Sequence, residues 1–373
     1  MLDDDVLIVG GGLAGLCCAR RLYEAGISCR VFETSDEVGG RARTDEVDGF
    51  LLDRGFQVLL TAYPEAQTVL DDDGLELARF EPGALIRYRG QFRRLVDPWR
   101  RPRHLISTAR SPVASLSDKL RVVRLRRRVC RGTLDEFFAR PETTTIEALR
   151  GDRLSERIIE HLFRPFLCGV FLVPVLRTSC RMFDFVFRMF ATGDAALPAH
   201  GMGTIARQIA GQLPKGTITT DTHVDHVDGR SLRLASGERL EAEAIVVACE
   251  APAAAKLLGE STSTAEQSVT CLYFATDQPP IKEPILVLNG EGEGPVNNLC
   301  VPSQVAPTYA PSDQSLISVT TLGVAGENEG LEGKVREQLG DWFGCCVNQW
   351  RLVRKYRIPY ALPTQIPPAP VSY

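Results

Sequence analysis

The residues that could do chemistry begin with a cluster of glycines near the start of the chain. A short apolar run, Val6–Val9, is followed by three consecutive glycines and then by a segment with helical apolar spacing. The cluster has the Gly-x-Gly-x-x-Gly spacing, in which a tight turn brings bare backbone and a helix N-terminus up to two phosphates. The candidate phosphate-binding residues are Gly10, Gly12, Leu13, Ala14 and Gly15.

An acidic residue lies at the position expected for a dinucleotide-binding unit, at the end of the second strand. Glu33 follows Gly10 by 23 positions and ends a second predicted strand, which begins at Cys29. A carboxylate at that point accepts hydrogen bonds from the hydroxyls of an adenosine ribose. A glycine-rich turn without a ligand is the alternative. The strand before the turn, the helix after it and the acid beyond favour dinucleotide binding.

A second glycine turn lies just beyond the acid. Gly39 and Gly40 allow the backbone to approach a bound ligand closely, and Arg41 offers a cation to a phosphate. Gly55 lies in a further turn downstream. The alternative is a surface turn with solvated arginines, and for Arg43 the two interpretations are equally open.

The elements that position these residues predict an α/β fold. A strand, a helix and a strand within 30 residues imply a right-handed crossover and a Rossmann-type parallel sheet. A similar strand-rich island follows at residues 218–258, whereas residues 81–195 show helical patterns and residues 259–344 show short strands. We therefore predict a discontinuous dinucleotide-binding domain with an inserted α+β substrate domain. The dinucleotide-binding domain comprises residues 1–80, 196–258 and 345–373, and the substrate domain comprises 81–195 and 259–344.

The chain resembles the flavin-containing amine oxidase superfamily, particularly its phytoene (carotenoid) desaturase and protoporphyrinogen oxidase branches. The motifs that carry this resemblance are the first glycine turn with its acid, Val38-Gly39-Gly40-Arg41-x-x-Thr44, Asp53-x-Gly55, Phe163-Arg164-Pro165-Phe166, Gly169-Val170-Phe171, Leu197-Pro198 and Gly201-Met202-Gly203. The resemblance implies that FAD is the cofactor and that the backbone of Val224 contacts adenine. It also implies an oxidoreductase that transfers hydride from a small or apolar organic substrate to flavin. No residue is assigned as the catalytic base.

One motif of the superfamily is not found in this sequence. Members close the FAD domain with Gly-Asp followed by small and polar residues, at the start of a helix beneath the flavin. The C-terminal part of the FAD domain is therefore expected to be incomplete. This leaves open a non-catalytic or degenerate nucleotide-binding isoform. An NAD-dependent dehydrogenase is a further alternative, which the Gly39-Gly40-Arg41 cluster disfavours.

Composition excludes several other classes of function. Lys and Arg total 43 and Asp and Glu total 47, a net charge of -4 that argues against nucleic acid as a partner. The eleven cysteines have neither zinc-ligand nor disulfide-framework spacing, and His223-x-x-His226 is a weak metal signal, so no metal is expected. With no signal peptide or transmembrane segment, the sequence predicts a cytoplasmic protein. Its oligomeric state cannot be inferred.

One stretch departs from this balance of charge. Between Arg87 and Arg131, 14 arginines and one lysine face only two acids, Asp97 and Asp118. The pattern suits a basic amphipathic surface that contacts anionic lipid, but a solvated helix with internal salt bridges explains it as well. Peripheral membrane contact is therefore possible, and the salt-bridged helix is the favoured interpretation.

Overall fold

A computed structural model describes residues 4–97, 100–101, 105–261, 266–324 and 330–368. The strands are β1 (Val6–Val9), β2 (Cys29–Phe32), β3 (Thr44–Val47), β4 (Phe50–Asp53), β5 (Leu59–Leu60), β6 (Ala78–Arg79), β7 (Gly83–Tyr88), β8 (Gln91–Val96), β9 (Ala195–Leu197), β10 (Ile218–Thr219), β11 (Val224–Asp228), β12 (Ser231–Leu234), β13 (Arg239–Glu241), β14 (Ala244–Val247), β15 (Glu266–Thr276), β16 (Leu286–Leu288), β17 (Val296–Cys300), β18 (Ser315–Leu322) and β19 (Arg351–Pro363).

The helices alternate with these strands in the first half of the chain and are sparser in the second. They are α1 (Leu13–Glu24), α2 (Pro64–Val69), α3 (Asp72–Leu75), α4 (Leu105–Arg110), α5 (Leu116–Val129), α6 (Leu134–Phe138), α7 (Thr145–Gly151), α8 (Glu156–Ile158), α9 (Arg164–Phe171), α10 (Cys180–Thr192), α11 (Gly203–Ala210), α12 (Ala251–Leu258), α13 (Pro302–Val305) and α14 (Leu331–Phe343). A π-helical turn, Ile159–Phe163, joins α8 to α9. Within the described residues, no helix combines the length and the apolar character needed to cross a membrane.

The chain forms two compact units. Unit 1 consists of Met1–Asp45, Pro64–Glu76 and His200–Thr264, and unit 2 consists of Glu46–Tyr63, Leu77–Ala199 and Ala265–Tyr373.

Unit 1 is built on a parallel sheet with the strand order β10-β2-β1-β14. β1 pairs in parallel with β2 on one side and with β14 on the other, and all four of its residues are buried. A strand that is covered on both faces needs apolar side chains throughout, which explains the unbroken run in the sequence. The three-stranded antiparallel sheet β11-β12-β13 contributes Val224, Leu232 and Leu234 to a core that it shares with Leu7, Val9 and Phe32 of the parallel sheet. The expected α/β fold class is thus confirmed.

Unit 2 is built on a seven-stranded sheet with the order β19-β15-β18-β17-β16-β7-β8. One face of this sheet forms a core with the apolar side of α14, through residues such as Phe274, Val319 and Val335. A separate cluster joins the helices between α5 and α10 and includes Leu125 and Phe183.

The units differ from the sequence-predicted domains mainly at two places, besides shifts of a few residues at the other boundaries. Residues 345–373, expected in the dinucleotide domain, belong to unit 2, because the long strand β19 pairs with β15 from Glu266↔Pro363 to Ala275↔Arg351. Residues 46–63 also belong to unit 2. The hydrogen bonds of the thirteen-residue strand β19 hold the C-terminal segment in the sheet of unit 2. The local sequence pattern gave no indication of this pairing.

Candidate dinucleotide site

The first and last glycines of the turn are required by the protein's own backbone. Gly10 has φ +110°, and a Cβ there would lie 2.9 Å from the carbonyl oxygen of Ala248. A Cβ at Gly15 would lie 2.0 Å from the carbonyl oxygen of Gly10. Both distances are too short for a side chain, so these two glycines are needed for the β1–α1 turn to form at all.

Gly12 is different, because among the described residues no atom beyond its chain neighbours lies within 4 Å of the position that its Cβ would take. It caps α1 with an extended backbone (φ -73°, ψ 178°), no side chain caps the helix, and no acid lies in its first turn. The helix dipole places partial positive charge at this end, and the next two residues, Leu13 and Ala14, are exposed. A bare, open helix N-terminus of this kind is suited to an anion.

Glu33 lies beside this turn with its carboxylate held in place. The backbone N–H of Gly11 donates to Oε2 at 2.7 Å, and the backbone N–H of Ser35 donates to Oε1 at 2.8 Å. The residue is only 8% exposed. Because a carboxylate oxygen can accept more than one hydrogen bond, both oxygens keep acceptor capacity for a ligand hydroxyl.

The second glycine turn packs against the first. The N–H of Gly39 donates to the carbonyl of Gly11 at 2.9 Å, and a Cβ at Gly40 would lie 3.3 Å from the Cα of Gly12. Gly39 and Gly40 both have positive φ, at 119° and 56°. The structure thus brings these glycines to the same place as Gly12, and Arg41 is exposed on the same turn.

The sequence interpretation overlooked how a distant motif supports this turn. The N–H of Gly203 donates to the hydroxyl of Thr44 at 2.9 Å, and a Cβ at Gly201 would lie 2.4 Å from that side chain. The Gly201-Met202-Gly203 motif therefore packs on the last residue of the Val38–Thr44 motif. Both motifs were visible in the sequence, but nothing local indicated that they meet.

Arg43, which the sequence left open, is a buried residue. It is 6% exposed and pairs with Asp36 at 2.9 Å and with Glu37 at 3.7 Å. Glu37 also pairs with Arg207 of α11 at 2.8 Å. The Nε of Arg43 has no hydrogen-bond partner among the described residues. The charge network fixes the turn to α11.

Val224, the expected adenine contact, is the first residue of β11 and is 3% exposed. The chain before it runs beside the acid, since the N–H of Thr222 donates to the carbonyl of Glu33 at 2.9 Å. An open cleft of about 350 Å³ lies here, lined among others by Phe32, Thr222 and His223. Glu33 and this cleft are therefore neighbours within unit 1.

Gly55 belongs to unit 2, where it has φ +91° and where a Cβ would lie 2.7 Å from Cδ1 of Ile358. The preceding strand ends in a buried acid, Asp53. The hydroxyl of Tyr309 donates to its carboxylate at 2.8 Å, and the hydroxyl of Tyr273 donates to its backbone carbonyl at 2.9 Å. Burial raises the pKa of both phenols well above the ordinary value, with a further contribution from the charge of Asp53. Both hydroxyls consequently remain donors, and they fix the turn that carries Gly55.

Comparison with known proteins gives the family. The family model described as flavin containing amine oxidoreductase matches residues 13–369. Protoporphyrinogen oxidase 2 of Arabidopsis thaliana is 28% identical over 174 residues, which cover 44% of this chain and 32% of that protein. Coproporphyrinogen III oxidase of Mycobacterium tuberculosis is 26% identical over 276 residues, which cover 67% of this chain and 60% of that protein. The alignments thus span less than two thirds of the length of these curated relatives.

A solved structure shows that the fold is shared. An oxidoreductase from Methanosarcina mazei superimposes with a TM-score of 0.71 at 17% identity, covering 94% of this chain and 87% of that chain. The resemblance inferred from the sequence motifs is confirmed, as is the FAD cofactor that it implied. This chain belongs to the flavin-containing amine oxidoreductase family.

Proposed function

We propose that this protein is an FAD-dependent oxidoreductase that removes hydride from a small or apolar organic substrate. The observation that carries the proposal is the open backbone at Gly12, on an uncapped helix N-terminus beside the oriented carboxylate of Glu33. A glycine turn without a ligand would not need this combination. The family match supplies the identity of the cofactor.

The roles of the residues follow from their chemistry. The N–H groups at the start of α1, with Gly12, Leu13 and Ala14, bind the phosphates, and the bare turn at Gly39 and Gly40 leaves room for them. Glu33 accepts the ribose hydroxyls, and the backbone at Val224 contacts adenine. Arg41 and Gly55 complete the proposed set of cofactor contacts. When bound, FAD supplies an acceptor for the hydride, and the protein supplies binding and orientation.

We further propose a porphyrinogen-type substrate. The two relatives reported above are named for porphyrinogens, and one of them aligns with two thirds of this chain. The methylene bridges of a porphyrinogen also carry C–H bonds that are open to oxidation. A substrate panel of coproporphyrinogen III, protoporphyrinogen, putrescine and phytoene tests this proposal. Anaerobic bleaching of the flavin by a porphyrinogen alone would support it, and bleaching by putrescine or phytoene alone would contradict it.

The cofactor assignment is tested first by the absorbance spectrum of the purified chain. We expect a yellow protein, or one that takes up FAD on reconstitution. We also expect Glu33→Gln to bind FAD more weakly, because an amide loses both the charge and one acceptor. Glu24→Gln, at the exposed end of α1, is the matched control and should bind FAD normally. A colourless protein that FAD cannot reconstitute would instead favour a non-catalytic nucleotide-binding protein.

A further inference from the structure

The three most exposed large hydrophobic side chains among the described residues lie within fifteen positions of one another in unit 2. Ile106 is 65% exposed, and Leu116 and Leu120 are each 71% exposed. Scattered exposed leucines are ordinary, but a cluster of this kind marks a surface that contacts something. We call the exposed side of α4 and α5 the α4–α5 surface, comprising Ile106, Ala109, Arg110, Leu116, Leu120, Arg124 and Arg127.

Hydrogen bonds hold the end of α4 against the start of α5. Leu116 and Leu120 are one helical turn apart and therefore lie on the same side of α5. The ammonium of Lys119 donates to the carbonyl of Ala109 at 2.7 Å and to that of Ser111 at 3.0 Å, which ties the start of α5 to the end of α4. A capping box between Ser115 and Asp118 fixes the first turn of α5. The leucines are thus presented on an ordered helix end.

The α4–α5 surface also carries arginines that have no ion-pair partner among the described residues. Arg124 follows Leu120 by four positions, and Arg127 follows Arg124 by three. Both arginines therefore extend the same side of the helix, and both are exposed. Arg110, at the end of α4, is exposed too. None of the three arginines forms an ion pair with any described residue.

The other arginines of α5 are used internally. Arg121 contacts Asp118 at 3.4 Å, Arg126 contacts Asp97 at 3.7 Å, and Arg128 contacts Asp184 at 2.7 Å. The salt-bridged interpretation of the basic stretch therefore holds for this inner set. It does not explain the outer set, which combines free positive charge with apolar side chains. A surface with that combination is complementary to a negatively charged, partly apolar plane.

We propose that the α4–α5 surface docks on anionic lipid membranes. Ile106, Leu116 and Leu120 enter the boundary between headgroups and acyl chains, while Arg110, Arg124 and Arg127 contact lipid phosphates. The contact is peripheral, because a short helix lying in the interface cannot span the bilayer. This proposal is independent of the cofactor, so its test does not require bound flavin.

The test is co-sedimentation of the full chain with vesicles of phosphatidylcholine alone and with vesicles that also contain phosphatidylglycerol. We expect binding only to the anionic vesicles, weakened by added salt. The double substitution Arg124→Gln/Arg127→Gln should lower the affinity about 30-fold, from the usual contribution of each cation near an anionic surface. Leu116→Gln/Leu120→Gln should lower the affinity by at least about 10-fold, because the variant lacks two apolar side chains that the membrane would otherwise bury.

Matched controls separate docking from nonspecific charge. Arg21→Gln/Arg230→Gln removes the same charge from exposed positions of unit 1, and Leu258→Gln removes an exposed leucine there. These variants should bind vesicles like the parent. The proposal is overturned if the parent binds both vesicle types equally or neither, or if the control variants lose as much binding as the test variants. It is also overturned if the leucine variant converts a dimer into a monomer without any vesicle binding, since the surface is then an interface between copies of the chain.

Discussion

Replacing Gly12 by valine should separate folding from cofactor binding in a single residue. The glycine already has an extended backbone (φ -73°, ψ 178°), which valine adopts easily. In the part of the chain that the structure describes, no atom beyond the chain neighbours lies within 4 Å of the added Cβ. Valine is a weaker helix cap than glycine, whereas a less flexible unfolded chain offsets part of that loss. We therefore expect the free energy of unfolding of the apoprotein to change by less than about 1 kcal/mol.

The effect on FAD should be much larger. A phosphate that accepts hydrogen bonds from the start of α1 must approach the backbone to about 2.9 Å, and the valine side chain would occupy that approach. Hydrogen bonds to charged groups contribute about 1.5–3 kcal/mol each. Losing about 3 kcal/mol in total would weaken FAD binding roughly 100-fold. Titration of the apoprotein with FAD, followed by quenching of flavin fluorescence, measures this change, and thermal unfolding of the same samples measures stability.

Gly151→Val is the matched control. Outside the backbone of its own helix, no atom of the described residues lies within 4 Å of the Gly151 Cβ position, and Gly151 lies at the end of α7. It should bind FAD like the parent. Unchanged FAD affinity in Gly12→Val would refute the assignment of the phosphates to this helix. Unfolding of Gly12→Val would refute the geometry itself, since the open space around the Cβ position would then not exist.

Three further substitutions test the surroundings. Gly15→Ala should lower the free energy of unfolding by at least about 3 kcal/mol even without FAD, because its Cβ would lie 2.0 Å from a backbone carbonyl; chemical denaturation of the apoprotein measures this. Tyr309→Phe leaves the buried carboxylate of Asp53 with one donor fewer, so it should cost about 1.5–3 kcal/mol in the same experiment. Burial alone would raise the pKa of Asp118, but hydrogen bonds from two serines prevail and lower it from 3.8 to about 2. The carboxylate therefore stabilises the fold above its unfolded-state pKa, and Asp118→Asn should cost about 2 kcal/mol at neutral pH, a difference that shrinks as the pH falls from about 4 to 2.

The parts of the site that could be predicted from the sequence are those built from local interactions. The turn at Gly10, the helix behind it and Glu33 lie within one strand-helix-strand unit, where each residue's geometry follows from its immediate neighbours. The strand-rich island was predicted for the same reason, and β12, β13, β14 and α12 occur there. Structure that depends on residues close together in the chain can be predicted from a single sequence.

The parts that could not be predicted depend on pairs that are distant in the chain. Thr44 and Gly203 are 159 positions apart, and nothing in either motif indicates that one receives a hydrogen bond from the other. Arg43 shows the same limit, because an arginine in a turn is usually solvated, and only its position against α11 reveals that it is buried. The C-terminal strand β19 belongs to unit 2 because it pairs along the length of β15, which is also distant from it in the sequence.

The three glycines of the first motif are glycine for different structural reasons. In the sequence, Gly10, Gly12 and Gly15 are equivalent positions of one motif, but in the structure their surroundings differ. Gly10 and Gly15 are glycine because the protein's own carbonyls leave no room for a Cβ, so their loss is a folding defect. Gly12 has room for a Cβ among the described residues, so the packing of the protein does not require glycine there, and the bare backbone is consistent with the proposed ligand. Gly12, where the packing leaves room for a side chain, is therefore the glycine of the three that best supports a bound ligand.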